Sequence, residues 1–316
     1  MRRARFGGVS KVKALIIADM EGISSIDALQ QISPFGEPSS YREGCRLMAG
    51  DVNAAAEGLL ASGVEAVHVR DLHLLHNNLR AEDLIPRVEL VQELPEERLA
   101  KEYALAVLVG LHRRADNSGF LSHTLMPDLK VRINGEAVGE AELLAWWLGA
   151  LGIPVALLSG EKGALAEAER RLPGILTVPT KESVSKRSAR CLPVEEVHSA
   201  LREACREAAL HPQAFKPQCC SEPVLVEVTY GRKESAKLAL EAGLGERRGE
   251  RTVSKVLADF RAVDNFLDQA MEYTEGAQIL QRQPARDDPE ALEQWTRKIL
   301  EYAEAWLTSP QGAWEE

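Results

Sequence analysis

The chain has 316 residues, room for one large domain or two medium ones around a buried core. Its hydrophobic content of 45% is that of a globular protein. The formal net charge of -10, from 48 acidic against 38 basic residues, argues against nucleic acid as the main partner, because phosphate recognition needs a basic footprint.

The basic N-terminus leads into ALIIADMEG, where acidic residues interrupt the apolar run too early for a secretory segment. Lys13–Ala18 therefore reads as a first, buried strand. Tyr41–Ser62 reads as a helix with a small-residue face, ended by Gly63. Glu65–Arg70, Ala104–Gly110 and Pro154–Ser159 read as further strands. Between the last two lie a short extended piece, Leu129–Ile133, and a helix from about Glu140 to Leu151. Glu161–Arg171 is amphipathic and helical, and Val194–Leu210 is a helix entered from Pro193. Glu222–Tyr230 alternates like a half-buried strand, and Val253–Met271 reads as one long helix. A polar linker with Pro284 and Pro289 precedes a last helix carrying Leu292, Trp295, Ile299, Tyr302 and Trp306. That stripe suits packing or subunit contact.

Apolar strands separated by helices predict an α/β fold, with a largely parallel or mixed sheet covered by helices on both faces. A second, smaller α+β unit and a C-terminal helical extension are expected beside it. The expected division is 1–178 for the catalytic domain, 179–281 for the smaller one and 282–316 for the linker and last helix. No apolar run reaches the roughly 20 residues that span a bilayer, so no membrane partner is expected. Five cysteines without paired CxxC motifs suggest neither a disulfide framework nor a zinc ribbon, and adjacent Cys219 and Cys220 read as buried or incidental. A cytoplasmic protein fits. The short basic clusters Arg2–Arg5 and Arg247–Arg251 read as solvated surface.

Chemistry concentrates where the histidines fall. Five of the seven lie between positions 68 and 123, and two of those directly follow strands. The first strand runs into Asp19-Met20-Glu21, whose side chains, two apart, point the same way. The second runs into Asp71-Leu72-His73, and the third into Leu111-His112. Each delivers a metal-type ligand past its carboxyl end, the edge at which open α/β sheets bind ligands. Glu140 opens a helix, where it is either a further ligand or a plain helix-end charge. Two histidines and three carboxylates suit zinc or another first-row divalent ion. Five ligands exceed what one catalytic ion needs and can serve two ions if a carboxylate bridges. His123, in a loop after His112, is available for proton transfer or for stabilising a tetrahedral intermediate, or is a hydrogen-bonded loop residue. His68 reads as a core histidine, and His76, His198 and His211 are given no catalytic task. The sequence has no GxGxxG after the first strand, P-loop, HExxH or GxSxG motif.

Several ordered segments carry a resemblance. They are Asp19-Met20-Glu21-Gly22-Ile23-Ser24, Tyr41-Arg42-Glu43-Gly44, Asp71-Leu72-His73 with Asn77-Asn78, Gly110-Leu111-His112, and Gly119-Phe120-Leu121-Ser122-His123-Thr124. Ile133-Asn134 leading to Val138-Gly139-Glu140, Pro154-Val155 with Ser159-Gly160, and Lys186-Arg187-Ser188-Ala189 before Cys191-Leu192 continue the series. From about residue 13 to 274 the chain resembles the zinc-dependent D-aminopeptidases of the DppA type, also called dipeptide-transport proteins. The resemblance implies metal ligands at Asp19, Glu21, His73, His112 and Glu140, two zinc ions per subunit and a catalytic histidine at His123. It further implies hydrolysis, by a metal-bound hydroxide, of the N-terminal bond of short peptides beginning with a D-amino acid such as D-Ala. A ring-like homo-oligomer is implied as well.

Departures from the family pattern are the residues before the first strand, the C-terminal helix, Arg70, and Glu161-Lys162 after Gly160. These bear on substrate choice and not on the ligands. A metal amidase acting on an L-configured or non-peptide substrate would use the same residues. A peptide-binding accessory protein of a dipeptide permease would need no catalytic histidine. A nucleotide-binding module lacks its phosphate loop.

Overall fold

The computed structural model describes residues 13–92, 102–115 and 119–308. Arg2–Arg5 lie outside the described residues. Two compact units divide the chain, and each is made of two stretches of sequence: Met1–His112 with Ala141–Cys219, and Arg113–Glu140 with Cys220–Glu316.

The first unit holds a seven-stranded sheet. Its members are β1 (Lys13–Ala18), β2 (Ala66–Asp71), β3 (Val88–Leu90), β4 (Tyr103–Leu111), β7 (Val155–Glu161), β8 (Leu176–Ser185) and β9 (Ser188–Cys191). They lie in the order β3-β2-β1-β4-β7-β8-β9, and every pairing is parallel except the last, β8 with β9. Central β1 is buried along nearly its whole length, as a continuous apolar run in a parallel sheet must be. Leu15, Ile16 and Ile17 are almost fully buried, each contributing about 1.5–3 kcal/mol of transfer free energy.

Helices α1 (Pro38–Ala61), α2 (Glu140–Ala150), α3 (Lys162–Glu169) and α4 (Val194–Leu210) flank this sheet; α2 begins one residue before the second stretch of the unit. Pro38 starts α1, and the Glu37 side chain caps it by accepting from the Ser40 amide at 2.8 Å. Gly58 lets α1 approach α4 closely, since a Cβ there would stand 2.2 Å from the Arg202 carbonyl oxygen. Glu161, one of the departures, caps α3 through the Ala164 amide.

The second unit carries an antiparallel sheet of β5 (Leu129–Ile133), β6 (Glu136–Ala137), β10 (Val224–Tyr230), β11 (Glu246–Arg247) and β12 (Thr252–Leu257). Its order is β11-β12-β10-β5-β6. With it go α5 (Lys233–Glu241), α6 (Phe260–Met271), α7 (Glu275–Gln281) and α8 (Pro289–Thr308).

Two expectations change. The stretch 253–271 is strand and then helix: β12 pairs with β10 along Thr252–Leu257, and Asp259 caps α6 through the Ala262 amide. Thr252, Val253 and Val256 are β-branched, and a cross-strand partner outweighs their helix-compatible spacing. The units also interleave, unlike the consecutive blocks 1–178, 179–281 and 282–316. β5 pairs with β10 across about ninety residues of sequence, which takes 113–140 into the second unit, while β8 and α4 belong to the first.

Among the described residues no helix is long and apolar enough to cross a membrane. Among the described residues the five cysteines form no disulfide, with Cys219 exposed and Cys220 half-buried. Arg247 and Arg248 are exposed, as expected of solvated charges.

Candidate metal centre

Strand register assembles the first part of the site. Ala18, the last residue of β1, pairs with Asp71 of β2 on one side and Val109 of β4 on the other. β1 is followed in sequence by its neighbour on one side, whereas β4 lies on the other, so the strand order reverses at β1. That reversal opens a crevice at the carboxyl edge. Asp19 and Glu21 follow β1, His73 follows β2 and His112 follows β4. Backbone hydrogen bonds hold the strand ends level: the Asp19 amide donates to Val109, Leu72 to Ala18, and Gly22 to Gly110, at 2.7–2.9 Å.

All four side chains are buried. His73 Nδ1 stands 3.1 Å from Glu21 Oε2 and 3.3 Å from Asp19 Oδ1, and His112 Nε2 lies 3.4 Å from Asp19 Oδ2. Asp19, Glu21 and His73 each offer a ligand atom within 4.8 Å of the others. His73 Nε2 faces the Ile32 carbonyl at 2.9 Å, and a carbonyl only accepts, so Nε2 carries the proton and Nδ1 is the nitrogen available to a cation. Burial opposes charge on this imidazole, but the Glu21 and Asp19 carboxylates outweigh it and hold the proton affinity of His73 well above the ordinary range. Two buried carboxylates converging on an imidazole nitrogen call for a cation, and their donor chemistry fits a first-row divalent ion.

A second set of side chains fixes the ligand loops. The Asp71 carboxylate accepts from the amides of His73, Asn78 and Leu79 and from the Asn78 side chain, at 2.6–3.2 Å. Asn78 in turn donates to the His73 carbonyl and accepts from the Tyr41 hydroxyl. Over the Asp19–Ile26 loop, Thr180 donates to the Gly22 carbonyl at 2.6 Å. Lys181 Nζ donates to the Glu21 and Ile26 carbonyls at 2.6 and 2.5 Å. Asp51 accepts from the Ser24 amide at 2.9 Å and from its hydroxyl, and His198 Nε2 meets Asp51 at 3.0 Å. Burial pulls the Lys181 ammonium down to about 8, against the pull of Cys191, Asp51, Glu21 and Asp27.

The second unit brings together the other two expected residues. His123 Nε2 lies 3.9 Å from Glu140 Oε1, and the same Glu140 oxygen accepts from the Leu125 amide at 2.7 Å. His123 Nδ1 faces the Leu121 carbonyl at 2.9 Å, so Nδ1 carries the proton and Nε2 is the basic nitrogen. Glu140 is the first residue of α2 and directly precedes Ala141 of the first unit.

Backbone strain marks the same loops. Among the described residues, Ser25, Leu74, His76, Arg87, Leu121, Leu125 and Asn134 have positive φ without being glycine. Five of these seven lie in the loops bearing Asp19 and Glu21, His73, and His123, and such strain concentrates at functional sites. His68 is a satisfied core histidine, buried with Nδ1 2.6 Å from the Tyr103 hydroxyl.

Sequence reasoning did not reach Lys181, Thr180, Asp51 or His198 as supports. Lys181 and Thr180 sit on β8, which carries Pro179 and no alternating pattern, and His198 lies on an ordinary amphipathic helix. Asn78 had a signal, as part of one matching segment.

A D-aminopeptidase from Bacillus subtilis (strain 168) is 28% identical over 236 residues, covering 72% of this chain and 85% of the relative. Among solved structures, the Zn-dependent D-aminopeptidase DppA from Bacillus subtilis, a self-compartmentalizing protease, matches with a TM-score of 0.74 and 25% identity. That match covers 82% of this chain and 98% of the other. The D-aminopeptidase family model matches residues 12–268, and the chain, a metal-dependent aminopeptidase by descent and fold, belongs to that family.

Proposed function

We propose that this enzyme is a zinc aminopeptidase that removes an N-terminal D-amino acid, such as D-Ala, from short peptides. In this reading Asp19, Glu21, His73, His112 and Glu140 hold two ions, and His123 is the catalytic histidine. The observation that carries it is the buried convergence of Asp19, Glu21 and His73 at the carboxyl edge of β1 and β2, with His112 3.4 Å from Asp19. His123 stands 3.9 Å from Glu140, which supports the two acting together. The solved relative is Zn-dependent and self-compartmentalizing, which supports zinc and a ring-like homo-oligomer here. A cytoplasmic location, where thiols stay reduced, accords with cysteines that form no disulfide.

When bound, the ions supply Lewis acidity and make water acidic enough to attack at neutral pH. The chain supplies the rest. His123 Nε2, left basic because Nδ1 is committed to Leu121, takes up the proton that the attacking water loses and then passes it to the leaving amine. Asp71 and Lys181 hold the loops that bear His73 and Glu21 in place.

Metal analysis combined with hydrolysis of paired D- and L-alanyl p-nitroanilides tests the proposal. Two zinc ions per chain and faster release from the D-isomer are expected, with turnover lost and metal kept in His123→Ala. Preference for the L-isomer would make the protein an amidase of other stereochemistry. Full turnover in His123→Ala would remove its catalytic role.

A further inference from the structure

The C-terminal helix α8 lies beyond residue 268, where the family match ends, yet it reaches the histidine assigned to catalysis. The Trp306 indole meets the His123 imidazole edge-on, with ring centroids 5.5 Å apart and planes at 79°. Trp306 is buried, together with Ile299 and Leu307 of the same helix. The helix is anchored rather than loosely laid down. Trp295 Nε1 donates to the Ile279 carbonyl at 2.6 Å, and the Tyr302 hydroxyl donates to Asp128 Oδ1 at 2.5 Å. The other Asp128 oxygen accepts from the Glu275 amide at 2.7 Å, tying α8 to the start of α7. Gly276 leaves room for this contact, since a Cβ there would stand 2.7 Å from the Tyr302 hydroxyl oxygen. All these residues belong to the second unit, as His123 does.

We infer that Trp306 is a positioning residue for His123, which makes α8 part of the catalytic apparatus of this chain. The hydrogen bond from Nδ1 to the Leu121 carbonyl does not by itself fix the plane of the imidazole. An aromatic edge against the ring removes this freedom, because edge-to-face geometry is directional. Nε2 then stays aimed at the side of the loop where Glu140 lies, 3.9 Å away. Leu121 and Leu125, both in the left-handed region, flank the histidine and give its loop a strained backbone that benefits from an outside support. Proton transfer needs the acid within hydrogen-bond reach of the leaving group, and small misplacements there cost up to about 100-fold in rate.

The inference rests on the proposed catalytic role of His123, and the test separates the two. Trp306→Leu and Trp306→Phe are made in the full-length zinc-loaded protein, beside His123→Ala, and assayed on D-alanyl p-nitroanilide with metal content and thermal midpoint. Trp306→Leu keeps an apolar side chain in the packed position and removes the ring edge. The expected result is kcat lowered about 10- to 100-fold in Trp306→Leu, with KM and bound zinc nearly unchanged. Trp306→Phe, which restores an aromatic edge, recovers most of kcat. Wild-type kcat in Trp306→Leu, or Trp306→Phe no better than Trp306→Leu, overturns the inference while His123→Ala remains inactive. An active His123→Ala overturns the underlying reading instead.

Discussion

His73 Nδ1 lies 3.1 Å from the Glu21 carboxylate while its Nε2 faces the Ile32 carbonyl at 2.9 Å. The ring is therefore held at both nitrogens, and only Nδ1 faces the carboxylates. Without an ion, that nitrogen keeps a proton between Glu21 and Asp19. Proton and metal compete for one position.

Zinc binding should thus release a proton at neutral pH. Calorimetric titration of the metal-free protein in two buffers of different ionisation enthalpy should give different apparent heats. Affinity should fall as pH falls. In the metal-free protein the sign runs the other way for stability. The folded value of His73 is raised, so its contribution is complete below the unfolded value of about 6.5 and is lost as pH rises through the folded value. Identical heats in both buffers would show that His73 is neutral before the metal arrives.

Asp71 touches no candidate ligand side chain, yet it sets the loop that presents His73. Asp71→Ala leaves the Asn78 and Leu79 amides without their acceptor, at about 1–3 kcal/mol for each buried group left unsatisfied. A loss of about 3 kcal/mol in urea unfolding is expected, with zinc affinity down about 10- to 100-fold by chelator competition. Unchanged affinity in a folded variant would mean that the loop holds its shape without Asp71.

Lys181 links β8 to the Glu21 loop through two carbonyls. Lys181→Met should reduce stability by about 2–4 kcal/mol at neutral pH, since both buried acceptors lose a charged donor. Burial lowers the folded proton affinity of Lys181 to about 8 from a usual 10.5, so between these values the unfolded chain binds more protons. The contribution of this group to stability accordingly rises with pH across that window. The gap between wild type and Lys181→Met should widen from pH 8 towards pH 10. A gap that narrows would show that the lost charge matters more to the two hydrogen bonds than to desolvation.

The candidate ligands stood out because they stand next to apolar runs that end abruptly, and a strand end is a local property of sequence. Asp19, His73 and His112 each follow such a run. Most of the supports were not legible, because Lys181 acts on Glu21 and Ile26, and His198 on Asp51, across more than a hundred residues. Pairing hid two features in the same way. Thr252–Leu257 has helix-compatible spacing until β10 lies beside it, and 113–140 reads as part of the first domain until β5 meets β10. The last helix was legible as a helix, whereas its contact with His123 is a matter of tertiary placement alone.

Gly22 decides how closely the segment after β1 can approach the end of β4. A Cβ on Gly22 would stand 2.1 Å from the Leu111 carbonyl oxygen and 2.5 Å from that of Gly110, both rigid backbone atoms. The Gly22 amide also donates to the Gly110 carbonyl at 2.7 Å, so the loop cannot retreat without losing that bond. Gly22→Ala must therefore push the Asp19–Gly22 turn off β4 and lengthen the 3.4 Å approach of His112 to Asp19. Gly63→Ala is the matched control. Its φ of +103° carries conformational strain, but a Cβ there meets nothing within 4 Å. The control should lose about 1–2 kcal/mol and bind zinc as the wild type does. Gly22→Ala should lose about 3 kcal/mol or more and bind zinc at least about tenfold more weakly. Urea unfolding with chelator competition on both variants separates steric displacement at the ligands from ordinary glycine strain. Equal zinc affinity in the two would mean that the loop absorbs the methyl group without moving Asp19.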